Sequence, residues 1–62
     1  MKIICEDNFG RESVSDSLVC GNVSQYYGVA FVKFLNENFS GDHSFNFYRL
    51  VEDEYELYKW EP

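Results

Sequence analysis

"NVSQYYGVAFVKFLNENFSG", residues 22–41, is the stretch on which the fold turns. Its apolar residues fall at Val23, Tyr27, Ala30, Phe31, Phe34 and Leu35. Steps of three and four mark an amphipathic helix. Asn22 suits an N-cap, because a short side-chain oxygen can accept one of the orphan N–H groups of the first turn. Gln25, three places on, completes a capping-box pattern. Asn38, Ser40 and Gly41 supply the stop, with Gly41 free to take a left-handed conformation. The spacing therefore predicts a helix over residues 23–38. At about 100° per residue, Val23, Tyr27, Phe31 and Phe34 form the centre of the buried stripe. Val29 and Val32 then fall on the far side, and Gly28, Leu35 and Phe39 bridge the two. Gly28 costs about 1 kcal/mol against Ala in mid-helix. Its presence implies a strand or side chain passing close to the helix.

Outward from the helix, the flanking segments alternate. "KIIC", residues 2–5, is a short apolar run and reads as a first strand. "DNFG", residues 7–10, reads as a turn, since Asp and Asn bond their own backbone and Gly takes positive φ. "ESVSDSLVC", residues 12–20, places Val14, Asp16, Leu18 and Cys20 in one row, which Asp16 interrupts. It admits either a second strand or an irregular lead-in to the helix. After the helix, "HSFNFYRLV" puts Phe45, Phe47, Arg49 and Val51 on one face and Ser44, Asn46, Tyr48 and Leu50 on the other. The acidic connector "EDE" leads into "YELYKWE", also aromatic and β-prone. The sequence predicts that these two segments form a hairpin.

The expectation is an α+β fold: a small antiparallel sheet of three or four strands with one amphipathic helix on one face, in the order β-(β)-α-β-β. Sixty-two residues make one domain, residues 1–62. A chain this short buries only about 60% of its unfolded surface, and its stability is marginal. Six Phe, five Tyr and one Trp compensate with large buried area per residue.

Charge excludes several function classes. The net charge is −6, and the five basic residues, Lys2, Arg11, Lys33, Arg49 and Lys59, are scattered. Phosphate backbones are held by clustered Lys and Arg, so direct nucleic-acid binding is not expected. Anionic membranes are disfavoured for the same reason. The start is too short and lacks a cleavage site for a signal peptide, and no stretch approaches the ~20 apolar residues of a membrane span. A cytoplasmic protein is expected, with Cys5 and Cys20 as plain thiols. A Cys5–Cys20 bridge would need them on adjacent strands. "NVS" and "NFS" match the glycosylation pattern but carry no weight without a secretion route.

No motif carries chemistry. His43 beside Asp42 reads as a solvated turn, and nothing marks Cys20 as a low-pKa nucleophile. Two cysteines and one His at wide spacing fit no zinc pattern. Glu52, Asp53 and Glu54 lack the alternating ligands of a calcium loop. No glycine-rich phosphate cradle is present. No catalytic residue, metal or cofactor is expected, and the chain is read as a non-enzyme.

Surface remains. "VEDEYELYKWEP", residues 51–62, sets four carboxylates within five residues and crosses them with rings. Charged edges also keep sheets from stacking. Read functionally, Glu52, Asp53, Glu54, Glu56, Tyr58 and Trp60 are the candidate contacts for a basic protein partner, since Tyr and Trp favour interface centres and hold cations over their rings. The make-up (tiny, acidic, aromatic, without an active site) is similar to accessory proteins of bacteriophages and mobile elements, which often block a host enzyme. That resemblance is of kind and carries no residue across. The expectation is a small acidic protein-binding module, of inhibitor type. The alternative is a structural homodimer assembling through the helix, with Gly28, Val29, Val32 and Phe39 as its face.

Overall fold

The computed structural model describes all 62 residues. Strand β1 (Lys2–Asp7) is central, β2 (Ser17–Cys20) flanks one side, and β3 (Asn46–Val51) the other, all antiparallel. Helix α1 (Gln25–Phe39) joins β2 to β3. The fold is α+β with three strands.

Register explains the core. Ile3 lies opposite Leu50, and Ile4 opposite Arg49. Side chains alternate faces along a strand, so Ile3, Cys5, Tyr48 and Leu50 share one face. Lys2, Ile4, Glu6, Phe47, Arg49 and Val51 share the other. Helix α1 packs on the first face, with Gly28 against Leu50. The second is crossed by the C-terminal segment, residues 52–62, where the Arg49 guanidinium donates to the Tyr55 hydroxyl at 2.7 Å and lies over its ring. Ile3 and Ile4, adjacent in sequence and pointing to opposite faces, are the two fully buried side chains, joined by Val51. Burying such side chains stabilises by about 1.5–3 kcal/mol each.

The helix differs from its sequence-based reading in two respects. Its N-cap is Ser24, whose hydroxyl accepts from the Tyr27 N–H at 3.3 Å. Asn22 instead adopts φ 57° in the turn before it. An Asn tolerates that conformation better than most residues. The buried face is also rotated. Gly28 is buried, and Val32, Leu35 and Asn36 are half-buried. Tyr27, Phe31 and Phe34, expected at the centre of the buried stripe, are exposed. A Cβ at position 28 would meet Leu50 Cδ1 at 2.6 Å, so the absence of a side chain fixes which face approaches the sheet. The stop follows expectation: Ser40 donates its N–H to Asn36 O at 3.3 Å, and Gly41 takes φ 139°.

The expected hairpin does not form. Residues 52–62 leave β3 through a turn closed by Tyr55 N–H to Glu52 O at 3.0 Å, then run as an irregular strap. The cause is edge occupancy. Pairing with β3 would need its outer backbone groups, and Asn36 holds those of Tyr48, in the middle of the strand: its amide donates to Tyr48 O and accepts from Tyr48 N–H, both at 2.9 Å. The strap crosses the sheet and docks on the segment before β2. Asp16 N–H donates to Tyr58 O at 2.8 Å, and Tyr58 N–H donates to the Asp16 carboxylate at 2.8 Å. Trp60 N–H reaches Ser15 Oγ at 3.0 Å, and the Tyr58 hydroxyl donates to Glu12 O. Asp16 therefore breaks the alternation of residues 12–20 because its carboxylate holds the strap, and only Ser17–Cys20 joins the sheet.

The turn after β1 is anchored at the opposite end. Gly10 takes φ 67°, as "DNFG" predicts. Asn8 donates from its side chain to Gly41 O and Ser44 O. Phe9 and Phe45 meet edge to face at 5.6 Å, with the Arg11 guanidinium over Phe45 at 4.8 Å.

Candidate interaction surface

The strap presents the acidic residues. Glu52, Glu54, Glu56 and Glu61 are exposed and make no ion pair. Asp53 pairs with the Met1 amine at 3.2 Å. Tyr58 and Trp60 expose much of their rings while their backbone amides are tied to Asp16 and Ser15. The six residues expected to contact a partner thus lie on one segment, although as a pinned strap and not as an edge strand.

The expected dimer face divides. Gly28 is buried under Leu50 and closed to a partner, and Val32 is half-buried on the same side. Val29 and Phe39 remain exposed. The sequence reading missed the aromatic row beside them. Tyr27 and Phe31 stack at 6.3 Å with 22° between planes, Tyr26 meets Tyr27 edge to face at 5.1 Å, and Phe34 meets Phe39 at 6.5 Å. The four-then-three spacing of Tyr27, Phe31 and Phe34 was the available signal. By hydrophobicity alone that spacing points inward, as a core stripe, because large rings favour burial.

Two open clefts of about 260 and 180 Å³ indent the strap side and the sheet end. Both include Glu6, Asp7, Arg11 and Val14. The Asp7 carboxylate is engaged there by Arg11: side-chain bonds of 2.7 and 3.0 Å and an Arg11 backbone N–H at 2.7 Å. The side-chain hydrogen bond from Arg11 holds Asp7 down at about 2, against the opposing effect of desolvation. Arg11 is raised by the same bond. On the helix-side face, burial, and then Cys5 across the strand pair, pushes the Tyr48 phenol up, so that it stays protonated. Cys20 on β2 and His43 before β3 lie on opposite sides of β1. Cys5 and Cys20 are free thiols, because Cys20 faces Ile3 and Cys5 faces Ser17. No group of three His, Cys, Asp or Glu is placed to hold a metal ion. No helix is long and apolar enough to cross a membrane.

Compared with known proteins, the chain matches no family model, no curated sequence and no solved structure.

Proposed function

We propose that the chain is a non-enzymatic protein-binding module, of inhibitor type, that engages a basic protein surface through its C-terminal strap. The observation that supports this is the set of four exposed, unpaired carboxylates, Glu52, Glu54, Glu56 and Glu61, beside the rings of Tyr58 and Trp60. Unpaired carboxylates attract cations over a Debye length of about 8 Å at physiological ionic strength. Adjacent Tyr and Trp rings supply apolar area and cation–π contact once a Lys or Arg arrives. The backbone bonds at Asp16 and Ser15 hold the strap in place before binding, which lowers the ordering cost.

The test is capture from a cell lysate at low and high salt, with the captured proteins identified by mass spectrometry. A Glu52/Glu54/Glu56→Gln variant runs alongside. The expected outcome is a basic protein retained at low salt by the parent chain, and lost both at high salt and with the variant. Capture indifferent to both salt and substitution would remove the acidic-strap mechanism.

A further inference from the structure

The outward face of α1 differs from the rest of the molecule in charge. Residues 25–39 contain one cation and one anion, Lys33 and Glu37, which sit 4.0 Å apart and cancel. The whole net charge of −6 therefore resides outside the helix. A basic partner has nothing to recognise on this face, and a second acidic copy of the chain meets no repulsion from it. The residues it offers are rings: Tyr26, Tyr27, Phe31 and Phe34 are 82%, 59%, 50% and 59% exposed.

Their spacing is that of a helix–helix seam. Positions 27, 31 and 34 advance by four and three, the repeat that keeps one stripe facing a second helix. A stripe this apolar on a soluble chain marks an interaction site. Area agrees. A compact chain of 7.3 kDa exposes roughly 4,200 Å², whereas this one exposes 4651 Å². Taking about 200 Å² per aromatic side chain, the exposed parts of Tyr27, Phe31 and Phe34 offer roughly 340 Å² per copy; Tyr26, packed edge to face on Tyr27, brings the whole patch to roughly 500 Å², so a symmetric pair that covers all four rings reaches about 1,000 Å², the lower bound for a specific interface.

We propose that this aromatic stripe is the seam of a symmetric homodimer in which α1 packs antiparallel on α1 of a second copy. Phe31 sits nearest the two-fold axis, with Tyr27 of one copy against Phe34 of the other. An interface of this kind is isologous, the same patch serving both copies. The strap lies on the other side of the sheet from the helix, so the dimer carries two acidic straps. The inference does not rest on the strap's proposed role.

Sedimentation equilibrium of the 62-residue chain over a concentration series tests it. The expected mass moves from 7.3 kDa at low concentration to twice that value at high concentration, and it does not fall as salt rises, because the seam is uncharged. Phe31→Glu is expected to weaken association more than about thirtyfold, as a central aromatic anchor does. Circular dichroism checks that the variant is folded, and Phe31→Ser replaces it if it is not. Leu18→Glu on β2, and the Glu52/Glu54/Glu56→Gln variant of the strap, are expected to dimerise as the parent does. A single-chain mass at every concentration, a dimer dispersed by salt, or a dimer unaffected by Phe31→Glu or Phe31→Ser would each overturn the proposal.

Discussion

A methyl group at position 28 has nowhere to go without moving Leu50. Its built position lies 2.6 and 3.0 Å from the two Leu50 methyls and 3.2 Å from Val23 Cγ1. Gly→Ala within a helix gains about 1 kcal/mol of propensity, while overpacking costs about 1–3 kcal/mol. Leu50 is only half-buried and yields in part. Gly28→Ala is therefore expected to destabilise by about 1 kcal/mol in urea denaturation, and Leu50→Ala in the same chain to relieve the clash. A stabilised Gly28→Ala would show that Leu50 does not press on the helix as described. Asp7 supplies a second residue-scale prediction, in pH. Its carboxyl falls from an ordinary 3.8 to about 2 when folded, because Arg11 bonds it. The unfolded chain thus takes up the proton first. The stability this pair contributes is complete above the ordinary value and is lost as pH falls from there through about 2. The stability difference between the parent and Asp7→Asn should shrink across that window. A constant difference would mean that Arg11 does not hold the carboxylate.

Among the elements, α1 both packs on β3 and covers the middle of its edge. Asn36 satisfies the outward N–H and C=O of Tyr48, groups that otherwise invite another strand. Asn36→Ala removes both bonds and leaves two part-buried backbone groups unmet, at a cost of about 1–3 kcal/mol. The urea midpoint should drop with an unchanged slope, and an unchanged midpoint would contradict the edge-cap role. The same contact shows where reading from sequence succeeds and where it stops. The alternation of Phe47, Arg49 and Val51 against Tyr48 and Leu50 was legible, because strand periodicity survives folding. So was the existence of the helix. Its rotation was not: hydrophobicity points Tyr27, Phe31 and Phe34 inward, while the steric demand of Leu50 turns Gly28 there instead. The composition of the strap is β-prone and points to a strand, and only the tertiary structure reveals that Asn36 already holds the mid-edge groups such a strand would pair with. The exposure of Glu52, Glu54, Glu56 and Glu61 was legible because unpaired carboxylates stay in water wherever the backbone puts them. The exposure of the helix rings was hidden because a ring-rich helical stripe looks the same in sequence whether it meets the chain's own sheet or faces outward.

For the whole molecule, shape connects these details to function. The Cα body measures 35 × 27 × 12 Å, a slab with a thin core around Ile3, Ile4 and Val51. Thirteen large apolar or aromatic side chains remain exposed against those three buried. A slab offers broad faces and little depth. The faces are sorted by charge: a neutral aromatic helix on one side, an acidic ring-bearing strap on the other. The most direct check on the proposed strap role is the affinity for a basic protein retained by the parent chain in the lysate capture, measured against ionic strength with the parent chain and with Glu52/Glu54/Glu56→Gln. Affinity is expected to fall steeply as salt rises for the parent, and to start lower and fall less steeply for the variant. An affinity that stays level from low to high salt would contradict the account.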